Sequence, residues 1–233
     1  MRYILTALCM VFVLSSHAIA QKEGFDGRPI TNNLSMPTGN TLNAGEFSIG
    51  IGPVEYGISD NVQLGTNLLL FIFQYYNADL KMSFIDTEKQ AFAAGLGVGY
   101  FDLNALTDAG GSFSFLSLSP YLVYTTAIGA KTRMHFSGNY SYFESDVDID
   151  EVEAEASTSG TSLAVGVEHS LSQKTKFVGD VGYDIDFEGL RFGGGVLWGW
   201  EVFRLKLGLQ YFSPQGVGGL VLPYISLWWR FDG

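Results

Sequence analysis

The stretch His135-Phe136-Ser137 places a base two residues away from a hydroxyl. On a β-strand such residues point to the same side, and a hydroxyl beside a base is the arrangement of an activated nucleophile. The neighbouring Met134, Phe136 and Tyr140 form an apolar side opposite the two polar residues. We therefore expect a hydrogen-bonded pair in the interior of the protein, and we predict that the chain is not an enzyme.

Two other stretches have some features of ligand-binding loops. The run Asp146–Asp150 alternates acidic and apolar residues, but an EF-hand loop needs Gly at its sixth position and Glu at its twelfth, where this sequence has Glu151 and Ser157. Gly193-Gly194-Gly195 is followed by no helix whose N-terminus could bind phosphate. We predict no metal site and no cofactor. The acidic stretch Glu144–Ser157 is predicted to be a solvated loop, with loose binding of divalent cations as the alternative.

Residues 1–20 have the pattern of a secretory signal peptide. Arg2 supplies the positive charge, Ile4–Leu14 the apolar run and Ala18-Ile19-Ala20 the small-residue cleavage site. A non-cleaved anchor is the alternative. We predict a signal peptide at 1–20 and one all-β domain at 21–233.

Charge and cysteine usage narrow the possible partners. The chain has 13 Lys and Arg against 24 Asp and Glu, so that without Arg2 the formal charge is 12 − 24 = −12. Such a surface does not suit nucleic acid, which we exclude as a partner. The one cysteine, Cys9, lies in the predicted signal peptide, so the mature chain is predicted to lack disulfides and Cys-based metal sites.

The end of the chain alternates between apolar and polar residues with a period of two. One apolar face comprises Leu205, Leu207, Leu209 and Tyr211, and a second comprises Ile225, Leu227, Trp229 and Phe231. A soluble sandwich has the same alternation. Segments of about ten residues with aromatic residues near their ends are, however, typical of a transmembrane antiparallel β-barrel, and most later segments have them.

The connections between these segments predict the number of strands. Short connections fall at 59–61, 86–90, 127–131, 172–174 and 201–203, and outer-membrane barrels keep such short turns on the periplasmic side. Phe47, Ile49 and Ile51 share one face, and a bulge at Gly52-Pro53 explains the change of phase after it. Counted back from Phe231, the chain then has eleven strands, of which this bulged strand is the earliest. Because single-chain bacterial barrels have even strand numbers, we predict about twelve strands, the first within Arg28–Met36, with ten as the fallback.

Two stretches near the start of the barrel carry a resemblance. Met36–Phe47, which reads MPTGNTLNAGEF, and Glu55–Gly65, which reads EYGISDNVQLG, resemble the opening of small, mostly uncharacterised outer-membrane barrel proteins of Gram-negative bacteria. The resemblance implies a barrel in the outer membrane, surrounded by lipid and lipopolysaccharide. The alternating aromatic end of the chain resembles the signal read by the barrel-assembly machinery, a further expected partner.

The inward sides of the predicted strands carry charged residues that are our candidates for lining the lumen. They are Lys81, Arg133, His135, Glu168, Lys176, Asp180, Asp184, Arg191, Arg204, Lys206 and Arg230. Either these charges neutralise one another in a packed lumen, or they surround a narrow water-filled passage. Glycines at inward positions and the expectation of no N-terminal plug domain favour the passage.

Three functions follow from this sequence. We favour a narrow, porin-like passive channel for small solutes, whose acidic mouth attracts cations or zwitterions. The alternative is a closed structural or adhesive surface barrel. A lipid-modifying outer-membrane enzyme is a weaker hypothesis, because such enzymes carry a His-x-Ser pair that faces lipid, whereas His135 and Ser137 are predicted to face inward.

Overall fold

A computed structural model describes Phe25 and residues 28–102, 111–149, 152–213 and 218–232 of the chain. These residues form twelve β-strands and one short helix. The strands are β1 (Phe47–Ile51), β2 (Pro53–Ser59), β3 (Val62–Asn67), β4 (Tyr75–Asp86), β5 (Gln90–Asp102), β6 (Gly111–Ala127), β7 (Thr132–Ile149), β8 (Val152–Ser172), β9 (Thr175–Asp184), β10 (Gly189–Gly199), β11 (Phe203–Ser213) and β12 (Leu220–Phe231). Helix α1 (Leu68–Phe71) lies between β3 and β4. The predicted signal peptide lies outside the described residues.

The strands form one closed antiparallel barrel. Each pairs with its neighbours in the sequence, and β1 pairs with β12 to close the wall. In that closing ladder Phe47 lies opposite Phe231 and Ile51 opposite Leu227. The predicted all-β closed barrel of twelve strands is therefore confirmed.

The first two strands differ from the prediction. Residues 28–36 form no strand, so the prediction of a strand within Arg28–Met36 was wrong. The extra strand arises instead at Gly52, where the chain reverses, so that Phe47 pairs with Tyr56 and Ser48 with Glu55. The predicted bulge at Gly52-Pro53 was wrong for the same reason. Gly52 has φ 126°, a conformation that a side chain disfavours and that this tight hairpin requires.

The two ends of the barrel are different. The connections at 60–61, 87–89, 128–131, 173–174 and 200–202 all lie at the end where β1 begins and β12 ends, which we call the turn end. At the opposite loop end, β7 extends to Ile149 and β8 begins at Val152. The prediction that Glu144–Ser157 is a loop was wrong, because most of it continues this hairpin, with exposed carboxylates such as Glu144.

The outer face of the wall is apolar. Alternate residues of the strands leave large side chains uncovered, among them Leu80, Leu122, Leu163, Val181, Leu209 and Ile225. Their neighbours in the sequence, such as Lys81, Ala164 and Ser226, are buried on the inside. The only helix in the described part of the chain, α1, is far too short to cross a membrane.

A stretch that precedes β1 lies inside the barrel. We call residues Arg28–Leu42 the inner segment; it includes buried residues such as Leu34, Met36 and Leu42. Together with Phe25, its Ile30 and Leu34 pack against the inward residues Val178 and Leu197 of the wall. The expectation that no N-terminal element plugs the barrel was therefore wrong.

Candidate functional site

The inner segment folds back on itself within the lumen. The amide of Asn33 donates to the carbonyl of Met36 over 2.9 Å, and the amide of Thr38 donates to the carbonyl of Thr31 over 3.0 Å. The side chain of Asn33 accepts from the amide of Leu34 over 2.8 Å, which fixes the tip. The segment thus enters from the turn end, turns at Leu34 and Ser35 about halfway up the barrel, and returns.

Three buried lysines of the wall hold the backbone of this segment. Lys81 Nζ donates to the carbonyl of Thr31 over 3.1 Å, and Lys176 Nζ donates to that of Arg28 over 2.6 Å. Lys206 Nζ donates to the carbonyl of Asn33 over 2.5 Å and to that of Asn32 over 3.1 Å. The carbonyl of Thr31 also accepts from the amide of Thr38, and none of the four residues belongs to a strand of the wall. The lysines thus supply donors to buried carbonyls of the segment, which are costly to leave unpaired.

Acidic and polar side chains complete the attachment. Both oxygens of the Asp180 carboxylate accept from Ser35, over 2.7 Å from its amide and 2.8 Å from its hydroxyl. Glu55 accepts from Asn32 over 2.6 Å and from Thr31 over 3.1 Å. The inner segment is therefore bound by the wall on several sides of the lumen.

A buried ion-pair cluster closes the turn end. Arg28 lies 2.5 Å from Glu46 and 2.6 Å from Asp232, and Arg230 lies 2.8 Å from Glu46. Glu46 is 2% exposed and pairs with both guanidinium groups. The cluster joins the start of the inner segment to Glu46, which immediately precedes β1, and to the end of β12.

Several inward glycines provide the space that the inner segment occupies. A Cβ atom at Gly193 would lie 2.5 Å from a methyl group of Leu34, and one at Gly166 would lie 2.5 Å from Nδ2 of Asn33. Since real Cβ atoms do not approach so closely, the segment excludes larger residues at both positions, and at Gly193 the carbonyl of Leu209 in the wall, 2.7 Å away, does so as well. These two glycines, which the sequence suggested for an open lumen, thus face the segment instead.

The structure places most of the eleven candidates in buried positions at the inner side of the wall. The buried ones are Lys81, His135, Glu168, Lys176, Asp180, Arg204, Lys206 and Arg230. Arg133, Asp184 and Arg191 are half-buried. Most of the buried group therefore contacts the inner segment or another charged residue rather than open water.

His135 belongs to this buried group. Its Nδ1 lies 2.9 Å from the hydroxyl of Thr125 and its Nε2 lies 3.8 Å from Glu168, whose other oxygen accepts from Lys176 over 2.6 Å. Ser137 shares the inward side but makes none of these contacts. The hydroxyl that His135 contacts is therefore that of Thr125 and not that of Ser137, and both Thr125 and His135 are buried in a packed polar cluster.

A cavity of about 310 Å³ lies between the inner segment and the loop end. It is bounded by Asn32 of the segment and by inward residues of β2 to β6, including Glu55, Asp79 and Ser119. Glu55 and Asp79 were not among the predicted lining residues, although each alternates with apolar neighbours and so had the signal of an inward residue. Among the described residues no group of three His, Cys, Asp or Glu is placed to hold a metal ion.

Comparison with solved structures finds several similar chains, two of which are described below. No family model matches the chain, and no curated protein matches it. A deletion mutant of TodX, described as a monoaromatic hydrocarbon channel, is similar over 80% of this chain and 69% of its own, at 12% identity and a TM-score of 0.42. The translocator domain of the autotransporter NalP from Neisseria meningitidis is similar over 80% of this chain and 86% of its own, at 10% identity and a TM-score of 0.48.

Proposed function

We propose that this protein is an outer-membrane β-barrel through which small solutes pass, and that the inner segment is the gate of that passage. The apolar outer face supports the membrane location, since exposed leucine and valine side chains around a whole barrel match acyl chains better than water. The resemblance of Met36–Phe47 and Glu55–Gly65 to small outer-membrane barrels supports the same location.

One observation carries the proposed gate. No backbone hydrogen bond in the described part of the chain joins residues 28–42 to a strand of the wall. The wall closes through its own ladder between β1 and β12 and does not need the segment for closure. The segment can therefore leave without opening the sheet, and its departure would leave a lumen lined by glycines and charged side chains.

A reversible cross-link tests the gate. Ser35 and Asp180 touch through their side chains, 2.8 Å apart, so cysteines at both positions lie close enough for a disulfide after a small adjustment. We expect the Ser35→Cys, Asp180→Cys variant to conduct ions in planar bilayers when reduced and to lose that conductance when oxidised. Ser35→Cys alone is the control, and its conductance should be the same under oxidising and reducing conditions. Equal conductance of the oxidised and reduced double variant would contradict the gate.

A closed structural barrel is the second candidate. The buried cluster of Arg28, Glu46, Arg230 and Asp232 favours it, because such a cluster fixes the segment at the turn end. If neither the native protein nor the reduced double variant conducts ions or admits solutes into liposomes, the closed barrel replaces the conduit. In both proposals the protein is not an enzyme, and the complete burial of His135 at the inner side of the wall, out of reach of a substrate, supports that part.

A further inference from the structure

One row of inward residues on the wall lines the side of the 310 Å³ cavity above the inner segment. In that row Glu55 lies opposite Gly65, Gly65 opposite Asp79, Asp79 opposite Gly97, and Gly97 opposite Ser119. Neighbouring strands are about 4.8 Å apart, so Glu55 and Asp79 lie about 10 Å apart at their Cα atoms, with Gly65 between them. Carboxylates and glycines therefore alternate across β2 to β5.

Packing does not explain the two glycines of this row. A Cβ at Gly65 would have its nearest contacts at 3.7 Å and 3.8 Å, with Asp79 and Glu55. A Cβ at Gly97 would have its nearest contacts at 3.7 Å to 3.9 Å, with Ser119 and Asp79. These are ordinary van der Waals distances, in contrast to the short distances at Gly166 and Gly193 beneath the inner segment. The glycines of the row keep space open rather than admit a neighbour.

The open space is rich in hydrogen-bond acceptors. Glu55 and Asp79 are the charged residues that bound it, and no Lys or Arg is among the described residues that do so. The nearest cation along β4, Lys81, lies one row lower and donates to the carbonyl of Thr31. Asp79 accepts from the hydroxyl of Tyr121 over 3.0 Å through one oxygen, which leaves its second oxygen toward Gly97.

Further polar groups surround the two carboxylates. They are Asn32, Thr66, Asn67, Tyr75, Ser117 and Ser119. The hydroxyl of Tyr75 lies 2.9 Å from that of Ser117, so the ring of Tyr75 is fixed at the side of the cavity. An aromatic ring beside hydroxyl and amide groups suits a compact polar ligand, and the cavity volume lies at the lower end of the range for small-molecule sites.

We propose that this cavity binds a small protonated amine that also carries hydroxyl groups, with its ammonium above Gly65 between Glu55 and Asp79. Glu55 keeps its negative charge while it accepts from Thr31 and Asn32, and two carboxylates on one side of a cavity attract a positive charge and repel anions. The proposal rests on the proposed function and deepens it, because it names the class of solute. Binding itself does not require passage across the membrane.

Three sugars of similar size test the charge preference. The full chain, refolded in detergent micelles, is titrated by calorimetry with glucosamine, glucose and glucuronate at a pH that protonates the amine. We expect glucosamine to bind at least about tenfold more tightly than glucose, and glucuronate to bind more weakly still, because a charge-assisted hydrogen bond contributes at least this factor. Equal affinities for the three sugars would overturn the proposal.

Matched variants locate the site. Asp79→Asn removes a charge without changing the size of the side chain, and Gly97→Val places a side chain in the open space of the cavity beside Asp79. Each substitution is expected to weaken glucosamine binding at least about tenfold. Glu144→Gln, on the exposed outer side of the loop end, is expected to bind as the native protein does. Far-ultraviolet circular dichroism verifies that each variant is folded.

Two outcomes separate this proposal from others. Unchanged affinity in both Asp79→Asn and Gly97→Val overturns the site, as does complete displacement of glucosamine by Ca²⁺, which would make the cavity a metal site. If glucosamine does not bind at all, the proposed solute class fails, whereas the conductance test of the cross-linked variant, which concerns the gate, is unaffected. Binding without conductance would place the same site in a closed barrel.

Discussion

The substitution Glu46→Gln should release the inner segment from the turn end of the barrel. Glu46 is the shared partner of Arg28, at 2.5 Å, and of Arg230, at 2.8 Å, and it is 2% exposed. Glutamine keeps the shape of the side chain and one acceptor oxygen but removes the charge that both guanidinium groups face. Two buried cations would then lie close together without this counter-ion, and displacement of Arg28 toward water relieves that cost.

The size of the effect follows from the burial of the pair. Removal of one partner of a buried ion pair costs about 3–5 kcal/mol. Each 1.4 kcal/mol is about a factor of ten in an equilibrium. If release of the segment relieves this cost, the ratio of seated to released segment falls by about two to three and a half orders of magnitude. The lower value applies to glutamine, which retains a hydrogen bond to one arginine.

Cysteine labelling measures this ratio. Thr38 is fully buried in the seated segment, and Cys9 is the only native cysteine, so Thr38→Cys in a Cys9→Ser background gives one reporting thiol. We expect a water-soluble maleimide to label this thiol about a hundredfold faster in the Glu46→Gln variant than in its parent. The isosteric control Glu144→Gln lies on the exposed outer side and should leave the rate unchanged.

The labelling experiment can refute the reasoning directly. Equal labelling rates with and without Glu46→Gln, in protein whose barrel is intact by its heat-modifiable mobility, would show that the ion-pair cluster does not hold the segment. Rapid labelling of Thr38→Cys in the parent protein would show that the segment is not seated at all.

Three further substitutions test other parts of the account. Lys206→Met should lower the free energy of unfolding by about 1–3 kcal/mol, measured by urea titration, because two buried carbonyls lose their donor. Gly166→Leu, whose added Cβ would lie 2.5 Å from Asn33 and 2.9 Å from Met36, should displace the tip of the inner segment and expose it to proteases, whereas Gly194→Leu, with its nearest contact at 3.6 Å on the outer side, should not. Leu209→Arg should destabilise the membrane-inserted barrel by about 2–4 kcal/mol, and Gln210→Arg, on the inner side, by much less in the same refolding assay.

The alternation of side chains predicted the wall well because it depends only on the pleat of a strand. Lys81, Lys176 and Lys206 were placed inward by that rule, and all three are buried inside the barrel. The short connections predicted the turn end, because the length of a turn is also a local property of the sequence. Whether inward residues face water is a different question, and its answer depends on which part of the chain occupies the lumen.

The inner segment could not be predicted in this way. Arg28–Leu42 has no period of two or of 3.6, because its backbone is satisfied by side chains of the wall rather than by a ladder. The hairpin at Gly52 was missed since a bulge and a tight reversal shift the phase of later residues alike. The cavity was missed because the row of Glu55, Gly65 and Asp79 exists only once the register between strands is known.

Hydrogen exchange across the inner segment tests the central claim most directly. In the seated segment the amides of Asn33, Thr38, Gly39 and Leu42 donate over 2.8–3.0 Å to Met36, Thr31, Thr125 and Gln63. Mass spectrometry of the refolded full chain in deuterated buffer should therefore find residues 31–42 protected for as long as the central parts of β7 to β9. Complete exchange of residues 31–42 at the first time point, with the wall still protected, would contradict a barrel whose lumen is filled by its own N-terminal residues.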